Sequence, residues 1–254
     1  MQTESKRIHQ ALSLKTLIRK ILIRNRIALT RNLRYDIQTE RIIRQSLGPH
    51  HVAIDVGAHK GEILDIMLSC SPQQQHYAFE PIPWLHDNLL KNYPNVHVLP
   101  YALSHASGQS TFHIVKNDLA YSGIKRRSYR QPSPDVETVH VEMRTLDELL
   151  PDDLAIRLIK IDVEGGEYDV MQGAVRTITH HHPILIFEFG KGASEHYNCG
   201  PEKMFDFMQS LNYAIFTLDA FLNHQSCLQR ETWMEHYAKG TEYYFVARFE
   251  NKSN

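Results

Sequence analysis

Apolar residues fall into short continuous runs separated by stretches of helical period. Val52-Ala-Ile-Asp-Val56 is one such run, and it breaks at once into glycines, as a strand buried on both faces does. Ile63, Leu64, Ile66, Met67 and Leu68 then repeat at helical spacing. Tyr77-Ala-Phe79 reads as a second strand, residues 84–93 as a second helix and Val96-His-Val-Leu99 as a third strand. After Gly108 the period changes to two. Ser110-Thr-Phe-His-Ile-Val115 and Val136-Glu-Thr-Val-His-Val-Glu-Met143 alternate in the manner of half-buried strands, and together they form a β insertion. The rhythm of strand and helix resumes with Leu158-Ile-Lys-Ile-Asp162, a helix over 168–179 and the apolar Ile184-Leu-Ile-Phe187. A helix over 202–211 follows, then Tyr213-Ala-Ile-Phe216 and a last strand, Tyr243-Tyr-Phe-Val-Ala247. Seven core strands alternating with helices predict an α/β fold with a doubly wound sheet. It is mostly parallel, with an antiparallel strand at the chain's end.

Ahead of the first strand the pattern differs. Residues 5–48 mix apolar positions at helical spacing (Leu14, Leu17, Ile18, Ile21, Leu22) with Lys6, Arg7, Lys15, Arg19, Lys20, Arg24 and Arg26. This predicts one or two basic amphipathic helices. They serve either as a lid docked on the domain or as a peripheral contact with a membrane surface or polyanion. The organisation expected is therefore a helical extension over 1–48 and one catalytic-sized domain over 49–250. The basic residues interrupt every apolar run before it reaches signal-peptide or membrane-spanning length.

Composition narrows the classes further. With 254 residues, 42% hydrophobic and 22% charged, the chain can bury a sizeable core. A net charge of −1 gives no global field to recruit nucleic acid. Cys70, Cys199 and Cys227 form no CxxC pair and leave an odd total, so neither a disulfide framework nor a zinc knuckle is expected, and a reducing, cytoplasmic setting fits best.

The sharpest local signal is Asp55-Val-Gly-Ala-His-Lys-Gly61, a strand ending in Asp-x-Gly-x-x-x-Gly that leads directly into a helix. Gly57 and Gly61 permit a tight turn and close approach of backbone to ligand. Glu80 closes the second strand 25 positions after Asp55, where a nucleoside-binding α/β unit places the acid that accepts hydrogen bonds from ribose hydroxyls. Downstream, Asp162, Glu164 and Glu167 crowd one strand-to-helix junction and Glu188 ends the neighbouring strand. Glu167 suits the positive end of the following helix. Asp162, Glu164 and Glu188 point into the crevice beyond the carboxyl ends of the strands.

Four pieces together resemble the FkbM family of class I S-adenosylmethionine methyltransferases. They are Asp55–Gly61, Phe79-Glu-Pro81, Ala102-Leu-Ser104, and Lys160-Ile-Asp-Val-Glu-Gly-Gly-Glu167 followed by Phe187-Glu188, and they cover about residues 50–190. The resemblance implies a Rossmann-like sheet and S-adenosylmethionine as donor, with S-adenosylhomocysteine as product. It implies transfer to a hydroxyl oxygen of a small molecule or sugar. It also implies that Asp55, Gly57 and Gly61 line the methionine portion of the donor, Glu80 its ribose and the Ala102-Leu103 turn its adenine. Asp162 would face the methyl group. His59 and Gly166 depart from the commoner forms of their motifs, and His59 either caps the following helix or approaches the acceptor.

Two chemistries would use Asp162, Glu164 and Glu188. A carboxylate can accept the acceptor's hydroxyl proton while the methyl group is transferred in line. Alternatively the three can hold a hard divalent cation such as Mg²⁺, which is the less favoured use because the acids follow no dedicated ligand spacing. His180-His-His182 reads as a solvated helix end rather than a metal site. Two other functions remain open: an NAD-dependent oxidoreductase, against which the glycine spacing speaks, and a catalytically silent Rossmann-like binding module. Neither Asn-Pro-Pro-Tyr nor Pro-Cys occurs, so nucleic acid is not the expected substrate. Acceptor contacts are expected from residues 120–134, which include Tyr121, Arg126, Arg127, Tyr129 and Arg130, from 190–200, and from the segment after Asp219.

Overall fold

Residues 22, 27–126 and 133–251 are described by the computed structural model. Helix α1 (Arg31–Ser46) comes first, followed by β1 (Val52–Val56), α2 (Glu62–Cys70), β2 (Tyr77–Phe79), α3 (Pro83–Asn92) and β3 (His97–Leu99). The insertion is β4 (Ala102–Leu103), β5 (Gly108–Val115) and β6 (Val136–Arg144). Then come α4 (Leu146–Leu149), β7 (Ile156–Ile161), α5 (Glu167–Gln172), α6 (Val175–His181), β8 (Ile184–Glu188) and α7 (Pro201–Ser210). The chain closes with β9 (Tyr213–Thr217), α8 (Leu218–Leu222), α9 (Arg230–Lys239) and β10 (Tyr244–Phe249).

The main sheet has seven strands in the order β3-β2-β1-β7-β8-β10-β9. β10 alone runs against its neighbours, pairing antiparallel with both β8 and β9. Alternation along each strand divides the core between two faces. Ile54, Val56, Ile159, Ile161, Leu185, Phe187 and Phe245 pack with Met171 of α5, Ile178 of α6, Met204 of α7 and Trp233 of α9. Ala53, Leu158, Ile184, Ile186 and Val246 face the other way, against Ile42 and Ile43 of α1, Leu64 and Met67 of α2, Leu89 of α3 and Leu222 of α8. Helices on both faces of a largely parallel sheet are the doubly wound arrangement the sequence predicts. β4, β6 and β5 form a separate sheet with its own apolar cluster, Phe112, Ile114 and Val141 among it.

α1 begins at the Thr30 cap, whose hydroxyl accepts from the Leu33 N–H at 3.2 Å, and it docks as an integral layer of the second face. Arg34 holds both oxygens of Glu242 at 2.8 and 2.7 Å, and the Tyr35 hydroxyl donates to the same carboxylate. Leu14, Leu17, Ile18 and Ile21 of the predicted extension lie outside the described residues. Among the described residues no helix is long and apolar enough to cross a membrane.

Two expectations are corrected. The helix over 168–179 is two helices: they part at Gly173-Ala174, where the Gly173 carbonyl accepts from Asp147 N at 3.0 Å and the Asp147 carboxylate caps the second by accepting from Arg176 N and Thr177 N at 2.8 and 2.9 Å. Ala102-Leu103 is not a turn but a two-residue strand, paired in parallel with Met143 and Arg144. Helices α8 and α9 went unpredicted. α9 buries only Trp233 and Tyr237, a stripe too narrow to stand out in the sequence.

Candidate functional site

A cleft of about 1770 Å³ opens along the carboxyl edge of the parallel strands. Gly57, His59, Glu80, Ala102, Leu103, Asp162, Glu164 and Glu188 all line it. Asp55 and Gly61 do not. Asp55 is fully buried within β1, and Gly61 precedes α2 with its Cα face turned to the Tyr93 ring, so both lie behind the wall.

The turn after β1 is built by backbone. Gly57 and Ala58 donate to the Phe79 carbonyl at 3.0 and 3.1 Å, which ties the turn to the end of β2. Gly57 has φ 80°, and a Cβ there would stand 2.0 Å from the Asp162 carbonyl oxygen, so only glycine lets the ends of β1 and β7 approach this closely. His59 also takes a left-handed φ, 51°, and its N–H donates to Glu80 Oε2 at 2.8 Å. Ile82 N donates to Oε1 at 2.9 Å. Glu80 is thus buried and held at both oxygens by backbone, with a further lone pair on each. Burial pushes its carboxyl up to about 7, against the pull of those two N–H groups. Burial likewise lowers the His59 imidazole, which stays neutral near pH 7.

At the ends of β7, β8 and β10 the charges converge. Lys160 is buried, with its Nζ 3.5 Å from Asp55 Oδ1 and 3.4 Å from Asp162 Oδ2. Burial works against its charge, but the two carboxylates outweigh that and raise the ammonium above its usual range. Asp55 lies at ion-pair distance without forming a hydrogen bond, and burial lifts its carboxyl to about 6. Asp162 receives the Tyr244 hydroxyl in addition to Lys160. Burial opposes its ionisation, yet Lys160 and that hydroxyl hold it below the usual carboxylate value.

Glu164 has a left-handed φ of 62°, followed by Gly165 at 110°. The loop is held by buried Glu167, whose Oε1 accepts from Val163 N at 3.0 Å and Gly165 N at 3.1 Å. Glu167 therefore folds the loop, in addition to sitting in the first turn of α5. Asp162, Glu164 and Glu188 each offer an oxygen within 4.8 Å of the others. This spacing fits a small cation as well as a positively charged or hydroxylated ligand. Lys160 and Tyr244 both contact Asp162 Oδ2.

His180, His181 and His182 do not converge. The first two rings meet edge to face at 4.5 Å, and His182, at φ 48°, stacks on Phe249. Of the expected acceptor segments, Tyr121, Gly190, Lys191 and Tyr197 line the cleft, as do Glu242, Tyr243 and Tyr244. Arg126 is exposed and not among the lining residues, while Arg127, Tyr129 and Arg130 lie outside the described residues. Sequence reasoning missed Lys160 and Tyr244 as site residues. The signal for Tyr244 was the expected antiparallel last strand, whose first residues must face the crevice.

A family model described as the methyltransferase FkbM domain matches residues 55–215. Curated proteins give no match. Among solved structures, the FkbM methyltransferase of Methylobacillus flagellatus is 14% identical with a TM-score of 0.48; the alignment covers 94% of this chain and 60% of that one. A putative rRNA methylase from Clostridium thermocellum is 10% identical at TM-score 0.47, over 84% of this chain and 95% of that one. A putative methyltransferase from Streptococcus mutans, solved in complex with SAH, is 11% identical at TM-score 0.46, over 87% and 98%. The chain thus spans 60% of the length of the Methylobacillus protein.

Proposed function

Since the chain belongs to the FkbM family of class I S-adenosylmethionine methyltransferases, we propose that it moves the methyl group of S-adenosylmethionine to a hydroxyl oxygen of a small molecule or sugar. The observation that carries the reading is the unit of Gly57, His59 and Glu80: a turn with no room for a Cβ, bonded through His59 N–H to a buried carboxylate facing the cleft. The same turn argues against a dinucleotide. Glu62 and Asp65 stand in the first turn of α2, where a pyrophosphate would need a positive helix end.

The residues fit the donor. Glu80, with a lone pair left on each oxygen, would accept hydrogen bonds from the ribose hydroxyls. Buried Ala102 and Leu103 would supply an apolar wall for the adenine. Gly57 and His59 would receive the methionine end, with Asp55 contributing indirectly by fixing Lys160. When bound, the donor supplies a methyl group on a positively charged sulfonium, so transfer needs no covalent enzyme intermediate. Asp162, kept ionised by Lys160 and Tyr244, would face that charge. Glu164 and Glu188 would orient the acceptor hydroxyl and take its proton as the oxygen–carbon bond forms, which is general-base assistance added to positioning.

Calorimetric titration with S-adenosylmethionine, with NAD and a Glu80→Ala variant as controls, tests the donor. Micromolar binding that disappears in the variant supports it and justifies assaying S-adenosylhomocysteine release with hydroxylated acceptors. Preference for NAD, or no binding by the parent protein, would overturn the proposal.

A further inference from the structure

β10 is the one strand of the main sheet that enters at the crevice, and its first residue is Tyr244. Tyr244 pairs across the ladder with Glu188, and its ring reaches past β8 so that the hydroxyl donates to Asp162 Oδ2 at the end of β7. Lys160 approaches the same oxygen at 3.4 Å, so neither contact engages Oδ1. The Tyr35 ring lies 5.3 Å from that of Tyr244, and the Tyr35 hydroxyl is fixed by Glu242 and by the Tyr243 N–H at 3.2 Å. The phenol is therefore held from α1 on one side and from the sheet on the other.

We propose that Tyr244 is a positioning residue that holds the Asp162 carboxylate toward the donor's sulfonium and away from full pairing with Lys160. The proposal rests on the donor assignment above and adds to it the residue that makes Asp162 effective. Buried Asp55 and partly buried Asp162 share one ammonium at Lys160. Without the Tyr244 hydroxyl, Asp162 Oδ2 loses its phenol donor while the Lys160 ammonium stays beside it, and the carboxylate closes onto that ammonium. Its charge is then spent inside the protein rather than on the ligand. S-adenosylmethionine and S-adenosylhomocysteine share the adenosyl group and the amino-acid end, and they differ in the sulfonium charge and the methyl group. Their relative affinity therefore reads what Asp162 presents to the sulfur.

The test is calorimetric titration of the full chain with each of the two ligands. In Tyr244→Phe, affinity for S-adenosylmethionine should fall about tenfold or more while that for S-adenosylhomocysteine stays within about twofold, as losing a hydrogen bond to a charged group implies. Asp162→Asn should lower the same ratio, and Tyr244→Phe added to it should lower it no further, because the tyrosine acts through the carboxylate. Tyr213→Phe is the matched control. It removes a buried hydroxyl, which donates to the Pro183 carbonyl at 2.8 Å away from the cleft, and should leave the ratio unchanged. Equal loss for both ligands, no loss for either, or full additivity with Asp162→Asn would overturn the proposal. Failure of the parent protein to bind S-adenosylmethionine would instead remove the donor assignment, and this inference with it.

Discussion

Gly57→Ala is the most informative single substitution, because two separate costs can be read from the geometry. The residue has φ 80°, and the new methyl group would lie 2.0 Å from the Asp162 carbonyl oxygen. The left-handed conformation costs an alanine roughly 1–2 kcal/mol. The clash is with backbone rather than a flexible side chain, so the Asp162 peptide must move. That puts at risk the Asp162 N–H bond to the Val56 carbonyl, which spans 3.0 Å between β1 and β7. Adding about 1 kcal/mol for that bond gives a total of about 2–3 kcal/mol. In a domain of this size such a loss lowers Tm by roughly 4–12 °C. Gly192 supplies the control, since its φ is 87° and nothing lies within 4 Å of the place a Cβ would take, so Gly192→Ala should cost only the dihedral share, about 1–2 kcal/mol. Urea titration of both variants, with S-adenosylmethionine calorimetry alongside, separates the two costs. Equal destabilisation by the two alanines, with donor binding retained in Gly57→Ala, would refute the close approach of β1 and β7 as the reason for the glycine.

Three further substitutions test how the site is supported. Burial pushes the Glu167 carboxyl up to about 7, above an unfolded value of about 4.3, so the folded state holds its proton more tightly and this contribution to stability is lost as pH rises from about 4.3 to 7. Glu167→Gln should therefore gain on the parent protein in urea titrations at pH 8 relative to pH 5; an equal difference at both would show that the acid is ionised throughout. Glu242→Ala removes the acceptor for Arg34 and for the Tyr35 hydroxyl and should cost about 2 kcal/mol. Arg34→Ala, on a side chain 38% exposed, should cost under about 1 kcal/mol, and comparable losses in the two variants would sink this account of how α1 is anchored.

What could be read from the sequence was what local chemistry decides. All five residues of β1 are buried, so the strand appears as an unbroken apolar run, and Ile184–Glu188 is legible for the same reason. The glycine turn and Glu80 were legible because their residue types are rare solutions to a local geometric demand. The break at Gly173 was not, since the residue that bonds there and caps the second helix is Asp147, distant in sequence. Nor was the pairing of Lys160 with Asp55 and Asp162, because alternation along β7 places a lysine on the strand without saying that both neighbours beneath it are acids. Asp55 was read as a ligand contact from its position in the motif, whereas full burial makes it the counter-charge of Lys160.

The position of Tyr244 follows from strand direction. Parallel strands bring their last residues to the crevice, which is why Glu80, Asp162 and Glu188 were sought at strand ends. A strand running the other way brings its first residue to the same edge, and the segment before it becomes part of the wall. In this chain that segment is residues 240–243, where Glu242 anchors α1 and Tyr243 meets Asn32 and Tyr35. The reversal of one strand therefore joins an N-terminal helix and a C-terminal strand to the carboxylate at the centre of the sheet. An acid chosen by its place in the β7 motif is oriented by a tyrosine 82 positions later, and a search confined to strand C-termini could not have found it.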